Sequence, residues 1–491
     1  MNPNSNLHEL IASLSGPEKA YFKKLGQTWK GRNRMLLVFD LFVSTPELND
    51  ETARLSCNVA SKAQWAVVKH ELYERILAAL RGFYRKKQLG LQLQNRLGNI
   101  VILIEKGLHN AALKQINSAQ KVALKLDDFH ALAGLLDHEV LVVKMIGGKE
   151  QSRTLTSLVR AMRRNNEILM ADLQLKIFKE ELFTILSEAT KSRSRTHLQR
   201  IADIRNHSLI SNKKPPSYFQ GELKYYTIQG FVARLEGDLQ AYQKTLRERL
   251  LVWERHPDKA KQEPMAFFVH LVSFLDVCLH NADVKAFENQ NSSLNQPILF
   301  QGIDPVYRFQ AEAQLELRYC INKPDFQNVI SLEQKLKAQF EKYQSKMAFP
   351  FLFSLYYNLM VLLFLAEEYQ KCLYWIRLIQ GLEGARIRLD ILSSSRVFRA
   401  VIFCQLGDLD HLEAEILSSS RFFVRRGPIF EFEKLILMNL RKITSNLNQN
   451  SSLQWNNLIK DIDTDKFSGL LGHKELLLWA KDKLEKLNGH H

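Results

Sequence analysis

Apolar residues recur every three or four positions along almost the whole chain, and alternating runs bounded by turn residues are scarce. That period places them on one face of a helix. Over residues 61–87 the stripe is Trp65, Val68, Leu72, Ile76, Ala79 and Phe83. Ser61 is placed to cap its start, and Arg85, Lys86 and Lys87 suit the carbonyl end of the helix dipole. The same reading predicts helices over 97–125, 128–146, 150–190, 218–256, 263–285, 304–344, 350–382, 388–426, 429–444 and 470–487. The breaks are short: Ser44-Thr45-Pro46, 206–217 with Pro215-Pro216, His256-Pro257, the Asn/Gln-rich 288–305, and 444–454. The last three are polar enough to be surface loops. None is a flexible linker tens of residues long. The pattern predicts an all-α solenoid, in which successive antiparallel helix pairs stack around one elongated core.

One stretch is apolar on every side. Residues 348–366 carry no charge, and about 20 apolar residues suffice to span a bilayer. However, Pro350 and Asn358 interrupt the run, and a helix begun at Pro350 has only about 16 further uncharged residues before Glu367-Glu368. The expectation is a buried inner helix without membrane insertion.

Three segments share a helix, an acidic or glycine turn, and a second helix. In the first, Tyr226 and Phe231 precede Gly237-Asp238, with Tyr242 and Leu246 after it. In the second, Tyr356, Leu359, Met360 and Leu363 precede Glu367-Glu368-Tyr369, with Cys372, Ile376 and Ile379 after it. In the third, Ala400 and Phe403 precede Gly407-Asp408-Leu409, with Leu412 and Ile416 after it. A degenerate copy has Gly107 followed by Ala112, Ile116 and Ala119. These segments resemble tetratricopeptide repeats, and the resemblance covers about four helix pairs out of about ten. It implies a tetratricopeptide-like solenoid over 96–491, which follows an N-terminal helical cap over 1–95. Tyr242 and Leu412 are large where the motif takes a small residue, so those pairs are expected to pack farther apart. The interval from Glu367 to Gly407 also exceeds the ~34 residues of a regular array. In the best copy, Met360 and Cys372 should be buried between the two helices. The opening Leu10-Ile11-Ala12-Ser13-Leu14-Ser15 to Glu18-Lys19-Ala20-Tyr21-Phe22-Lys23-Lys24 is similar to the start of an uncharacterised family of bacterial helical-repeat proteins. That similarity brings no known activity with it.

Composition narrows the class. The 491 residues are 46% hydrophobic and 24% charged, enough apolar surface to exclude a disordered or low-complexity chain. Sixty-eight Lys+Arg against 52 Asp+Glu give net +16, which favours polyanions or acidic partners. Cys57, Cys278, Cys320, Cys372 and Cys404 are widely spaced and odd in number, so neither a disulfide framework nor a paired-cysteine zinc site is expected. Residues 1–14 are polar and lack a secretory signal. Together these favour a reducing, cytoplasmic setting.

Local chemistry is a series of near misses. His8-Glu9, His70-Glu71 and His138-Glu139 lack the second His of a zinc protease, since Ala12, Glu74 and Val142 stand there. Asp461-Ile462-Asp463-Thr464-Asp465 begins like a calcium loop, but Lys466 and Gly472 occupy the turn and bidentate positions. Gly147-Gly148-Lys149 lacks the leading glycine and the following hydroxyl of a phosphate loop. No catalytic, cofactor or metal residue is therefore assigned, and the expectation is a non-catalytic protein.

Basic residues supply the candidate surfaces. Lys149, Arg153, Arg160 and Arg164 fall on one side of a helix at about 100° per residue, with Lys191, Arg193, Arg195 and Arg200 nearby. A second concentration comprises Arg377, Arg386, Arg388, Arg396, Arg399, Arg421, Arg425 and Arg426. From it Arg377, Arg396, Arg399, Arg421, Arg425 and Arg426 are assigned to partner binding, since stacked pairs can gather them on one surface for a carboxylate-bearing protein or peptide. Local pairing with Glu383, Asp390, Glu413 or Glu415 is the alternative. A second functional reading is a nucleic-acid-binding regulator. A short helix over 51–56, a turn at Asn58 and the helix from Ser61 could form a helix-turn-helix-like reader showing Lys62, Gln64 and Lys69.

Overall fold

Helical periodicity becomes helix throughout, but the chain turns more often than the periodicity alone indicates. In a computed structural model of the chain, residues 3–29, 32–45, 49–85, 88–188, 195–212, 214–295, 300, 302–323, 326–381, 388–424, 431–445, 451–467 and 470–488 are described, and among them there is no strand. The chain divides into two units, 1–178 and 179–491, with the division inside helix α9.

The first unit holds α1 (Pro3–Ser13), α2 (Gly16–Gly26), α3 (Arg32–Ser44), α4 (Asp50–Ser56), α5 (Lys62–Tyr84), α6 (Leu89–Glu105), α7 (His109–Leu126), α8 (Phe129–Ile146) and the first part of α9 (Gln151–Glu188). Helices α1 to α5 enclose one core, in which Leu7, Ile11, Phe22, Phe39, Trp65 and Leu72 are buried. Ser61 caps α5 as its sequence predicts, accepting from the Gln64 N–H at 3.2 Å. Lys86 and Lys87 lie outside the described residues. Helix α7 packs on both α6 and α8, and Asn165 of α9 donates to the Phe129 carbonyl of α8 at 3.0 Å.

The second unit continues with α10 (Arg195–Asn206), α11 (Ser208–Ser211), α12 (Phe219–Glu236), α13 (Leu239–Arg255), α14 (Pro257–Gln262), α15 (Pro264–His280) and α16 (Val284–Asn291). After these come α17 (Pro305–Asn322), α18 (Val329–Tyr343), α19 (Phe349–Leu365), α20 (Tyr369–Gly381), α21 (Leu389–Leu406) and α22 (Leu409–Val424). Helices α23 (Glu431–Ser445), α24 (Ser451–Ile462) and α25 (His473–Asn488) complete it. One core is built from α12 to α17 and a second from α17 to α25. The stretch 288–305, read as a loop, is helical at its start. Asp283 caps α16, which runs to Asn291 and passes into a 3-10 turn, Ser292–Asn295, with Phe287 and Leu294 buried. Those two apolar anchors, hidden among Asn and Gln, extend the helix.

One turn recurs between paired helices. After α12, Gly237 adopts φ 84°, the Asp238 N–H returns to the Ala233 carbonyl at 2.9 Å, and the Asp238 carboxylate accepts from the Ala241 N–H at 2.9 Å. The left-handed residue satisfies the last carbonyls of one helix while the aspartate caps the next. Asp127-Asp128, Ala282-Asp283 and Gly407-Asp408 repeat the device between α7 and α8, α15 and α16, and α21 and α22. Glu367, at φ 60°, makes the same turn between α19 and α20.

The uncharged stretch forms α19, which packs against α17, α18, α20, α21 and α25. Neighbouring helices cover it, and no helix among the described residues is long and apolar enough to cross a membrane. Met360 and Cys372 are completely buried, and the Cys372 thiol donates to the Met360 carbonyl at 3.4 Å. Opposite the bulky Tyr242, α12 supplies Gly230, where an added Cβ would lie 3.5 Å from the Tyr242 ring. The tighter neighbour of that Cβ would be the Thr245 hydroxyl at 3.1 Å, so the close approach is to Thr245 while the Tyr242 ring lies at ordinary contact distance.

Candidate functional site

The arginines of α21 do not share one environment with those of α20 and α22. Glu415 lies on the buried stripe of α22 with Leu412, Ile416 and Ser419, so its carboxylate must find partners inside the protein. Arg399 reaches it at 2.8 Å and Arg396 at 3.7 Å, both from α21, and the Ser419 hydroxyl donates to it at 2.7 Å. Arg396 also lies 4.4 Å from the centre of the Phe422 ring, and Arg399 donates to the Gln380 side chain. Arg388 is held by Asp390 through two contacts of 2.9 Å. By contrast, Arg377 and Arg421 are exposed. Arg386, Arg425 and Arg426 lie outside the described residues. Of the six arginines assigned to one surface, the structure brings Arg396 and Arg399 together, on an internal carboxylate.

The amino-terminal arrangement forms as read: α4, a turn with Asn58 at φ 51°, then α5. Lys62 and Gln64 are exposed at the opening of α5. Lys69 is not on that surface. It is buried, and its ammonium holds both oxygens of Asp50 at 2.9 and 2.8 Å while the Trp65 indole donates to the same carboxylate at 2.7 Å. The core stripe Trp65, Val68 and Leu72 draws Lys69 inward, and an inward ammonium needs a carboxylate. Burial opposes the charge of Asp50, but the hydrogen bonds from Lys69 and Trp65 and the Lys69 charge outweigh it, so this carboxyl ionises below its ordinary value.

The basic face of α9 is bare. Arg153, Arg160 and Arg164 are exposed and have no ion-pair partner among the described residues. Arg200 is instead tied to Glu181 at 2.7 Å, and Lys191 and Arg193 lie outside the described residues. Two carboxylates of the calcium-like stretch are engaged, Asp461 with Asn439 at 3.0 Å and Asp463 with Lys481 at 2.9 Å.

A groove of about 430 Å³ that the sequence reading did not single out runs between α13, α15 and α16. It is lined by Gln240, Gln243, Lys244, Arg247, Glu248, Asn289 and Gln290 together with the apolar Phe274 and Ala286. Gln243 is fixed by its bond to Asp283 at 2.7 Å, and Arg247 by Glu254 at 2.8 Å. The available sequence signal was the pair Gln240 and Gln243, one turn apart on α13, preceding the adjacent Asn289-Gln290 on α16. In comparisons with known proteins, no family model, no curated protein and no solved structure matches the chain.

Proposed function

We propose that this chain is a non-catalytic, cytoplasmic scaffold that binds another protein or a peptide on a surface of stacked helix pairs, as a diverged tetratricopeptide-like solenoid. The observation that carries the reading is the amide-lined groove of α13, α15 and α16. Gln243 and Gln290 are already bonded within the protein at both ends of the amide, whereas the exposed Gln240 and Asn289 offer an N–H donor and a carbonyl acceptor on one planar group, the same pair that a peptide unit presents. An extended segment can therefore exchange hydrogen bonds with Gln240 and Asn289 through its backbone, and the exposed Lys244 favours an acidic residue beside it.

The test is a pull-down with the full chain and its double variant Lys244→Glu/Asn289→Ala, two exposed positions whose change should leave the melting temperature unaltered. A stoichiometric protein retained by the wild type and lost from the variant is the expected result. Equal retention by both would sink the groove. Recovery of nucleic acid alone, released steeply by salt and lost from Lys62→Glu, would favour the second reading, in which the α4–turn–α5 arrangement meets DNA.

A further inference from the structure

Helix α13 carries a charge on its buried stripe. Leu246, Leu250 and Trp253 form that stripe, and Arg249 sits among them at 5% exposure. Among the described residues its one hydrogen bond runs from Nη1 to the Thr227 hydroxyl of α12 at 3.3 Å, and its enclosed Nε has no partner. No carboxylate pairs with this guanidinium among the described residues. Burial pulls it down to about 10, which still leaves it charged at neutral pH. Of the acids on the same two helices, Glu222 is engaged with Arg255 at 3.1 Å, Glu236 with Arg205 at 2.6 Å and Glu254 with Arg247 at 2.8 Å, while Glu248 lines the amide-lined groove.

The surroundings add donors and positive charge. The Trp253 indole donates to Nδ1 of His270 on α15 at 2.8 Å, so the proton of the neutral ring is on Nε2, which has no partner among the described residues. Burial and the charges of Arg249 and Lys179 hold His270 well below its ordinary value, so it stays neutral. Lys179 itself is paired with exposed Glu180 at 2.9 Å. The Thr227 hydroxyl donates to the Leu223 carbonyl at 2.7 Å and therefore meets Arg249 only as an acceptor. It fixes the guanidinium through Nη1, while the Nε of the opposite Nε–Nη2 edge is enclosed and has no partner among the described residues. That edge carries two parallel N–H groups, the fork that matches two oxygens of one anion. Thr227, Tyr242 and His270 are each partly exposed, so the fork lies one layer beneath the surface.

We propose that Arg249, oriented by Thr227 and assisted by the Nε2–H of His270, binds a single oxyanion group, a phosphate or a carboxylate, between α12, α13 and α15. A buried charge is normally paired, and here the counter-charge is the ligand. The site lies apart from the amide-lined groove and does not rest on the reading above, because its test uses no partner.

The experiment is thermal unfolding of the full chain in inorganic phosphate and, separately, in acetate, each against chloride at equal ionic strength. Either anion at about 50 mM should raise the wild-type Tm saturably by about 2 °C or more. Arg249→Met should melt no lower than wild type without anion and should weaken the response at least tenfold. Thr227→Val should weaken it less. A response to phosphate alone identifies a phosphate-bearing ligand, and an equal or larger response to acetate identifies a carboxylate. The absence of a response to either anion, or an equal response in Arg249→Met, overturns the site. Should Arg249→Met fail to fold, the NMR resonance of the wild-type Arg249 Nε–H decides. It should move on adding the anion, and an unmoved resonance overturns the proposal.

Discussion

Two buried charged groups in the second unit meet the same physical demand in opposite ways. Around Glu415 the protein supplies both signs: one enclosed carboxylate holds Arg399, Arg396 and the Ser419 hydroxyl. Around Arg249 no carboxylate pairs with the charge among the described residues, which place a hydroxyl at Nη1 and leave the enclosed Nε without a partner. The first arrangement pairs its charge and ties α21 to α22, although the Nε of Arg399 is buried without a partner among the described residues. The second is unfinished, and its unsatisfied charge can be relieved from outside. Burial of a charge therefore says little about its role until its counter-charge has been located.

The contrast breaks most readily at Glu415. Glu415→Ala strands two guanidinium groups, so denaturant unfolding should show a loss of roughly 3–5 kcal/mol. A loss below about 1 kcal/mol would mean that the pair is no more than a surface salt bridge. Removing the charge at Arg249 should act with the reverse sign. Arg249→Met should gain about 1–2 kcal/mol in anion-free buffer, and a clear loss would make the residue an ordinary structural one.

Asp50 gives a third, smaller case in the first unit, where Lys69 is the buried member. Because the folded carboxyl ionises below its ordinary value of 3.8, the stability it contributes is present above that pH and lost as pH falls through the lower folded value. The partly exposed carboxylate limits this pH-dependent term to about 1 kcal/mol. Melting temperatures from pH 5 to pH 2 should fall less steeply for Asp50→Asn than for wild type, and parallel curves would contradict the pairing. The smallest effect belongs to Arg377, which is exposed. Arg377→Ala should stay within about 0.5 kcal/mol of wild type by the same denaturant measurement, and a larger change would show that it too is paired.

The helices and their caps were legible because period and punctuation are local. Ser61, Gly237-Asp238 and Gly407-Asp408 stand in the sequence where the structure uses them. The buried fate of α19 followed from its apolar circumference and its length. Lys69 was read as exposed and Arg249 was not singled out for a shared reason: each is a basic residue on an otherwise apolar stripe, next to Val68 and Leu250 respectively. Reading charge by local density hid them, whereas asking which charges break a stripe would have found both. The pairing of Arg396 and Arg399 with Glu415 was one of the local alternatives legible in the sequence, and the fold picks Glu415 from the nearby acids because it sits across a turn on the facing helix. Glu415 also shares a stripe with Leu412 and Ile416, and that was its own local sign.

The recurring left-handed turn also determines where length can change as such a chain diverges. Between α12 and α13 the bonds from Gly237 and Asp238 leave no slack. One inserted residue there would rotate α13 by about 100°. Leu246, Leu250 and Trp253, now buried, would swing toward solvent together. Insertions and deletions should therefore be purged at these turns and collect between pairs instead, as at the 3-10 segments Ser292–Asn295 and Phe326–Asn328. A chain with rigid hairpins and elastic joints between them drifts out of any fixed repeat period while every hairpin keeps its shape.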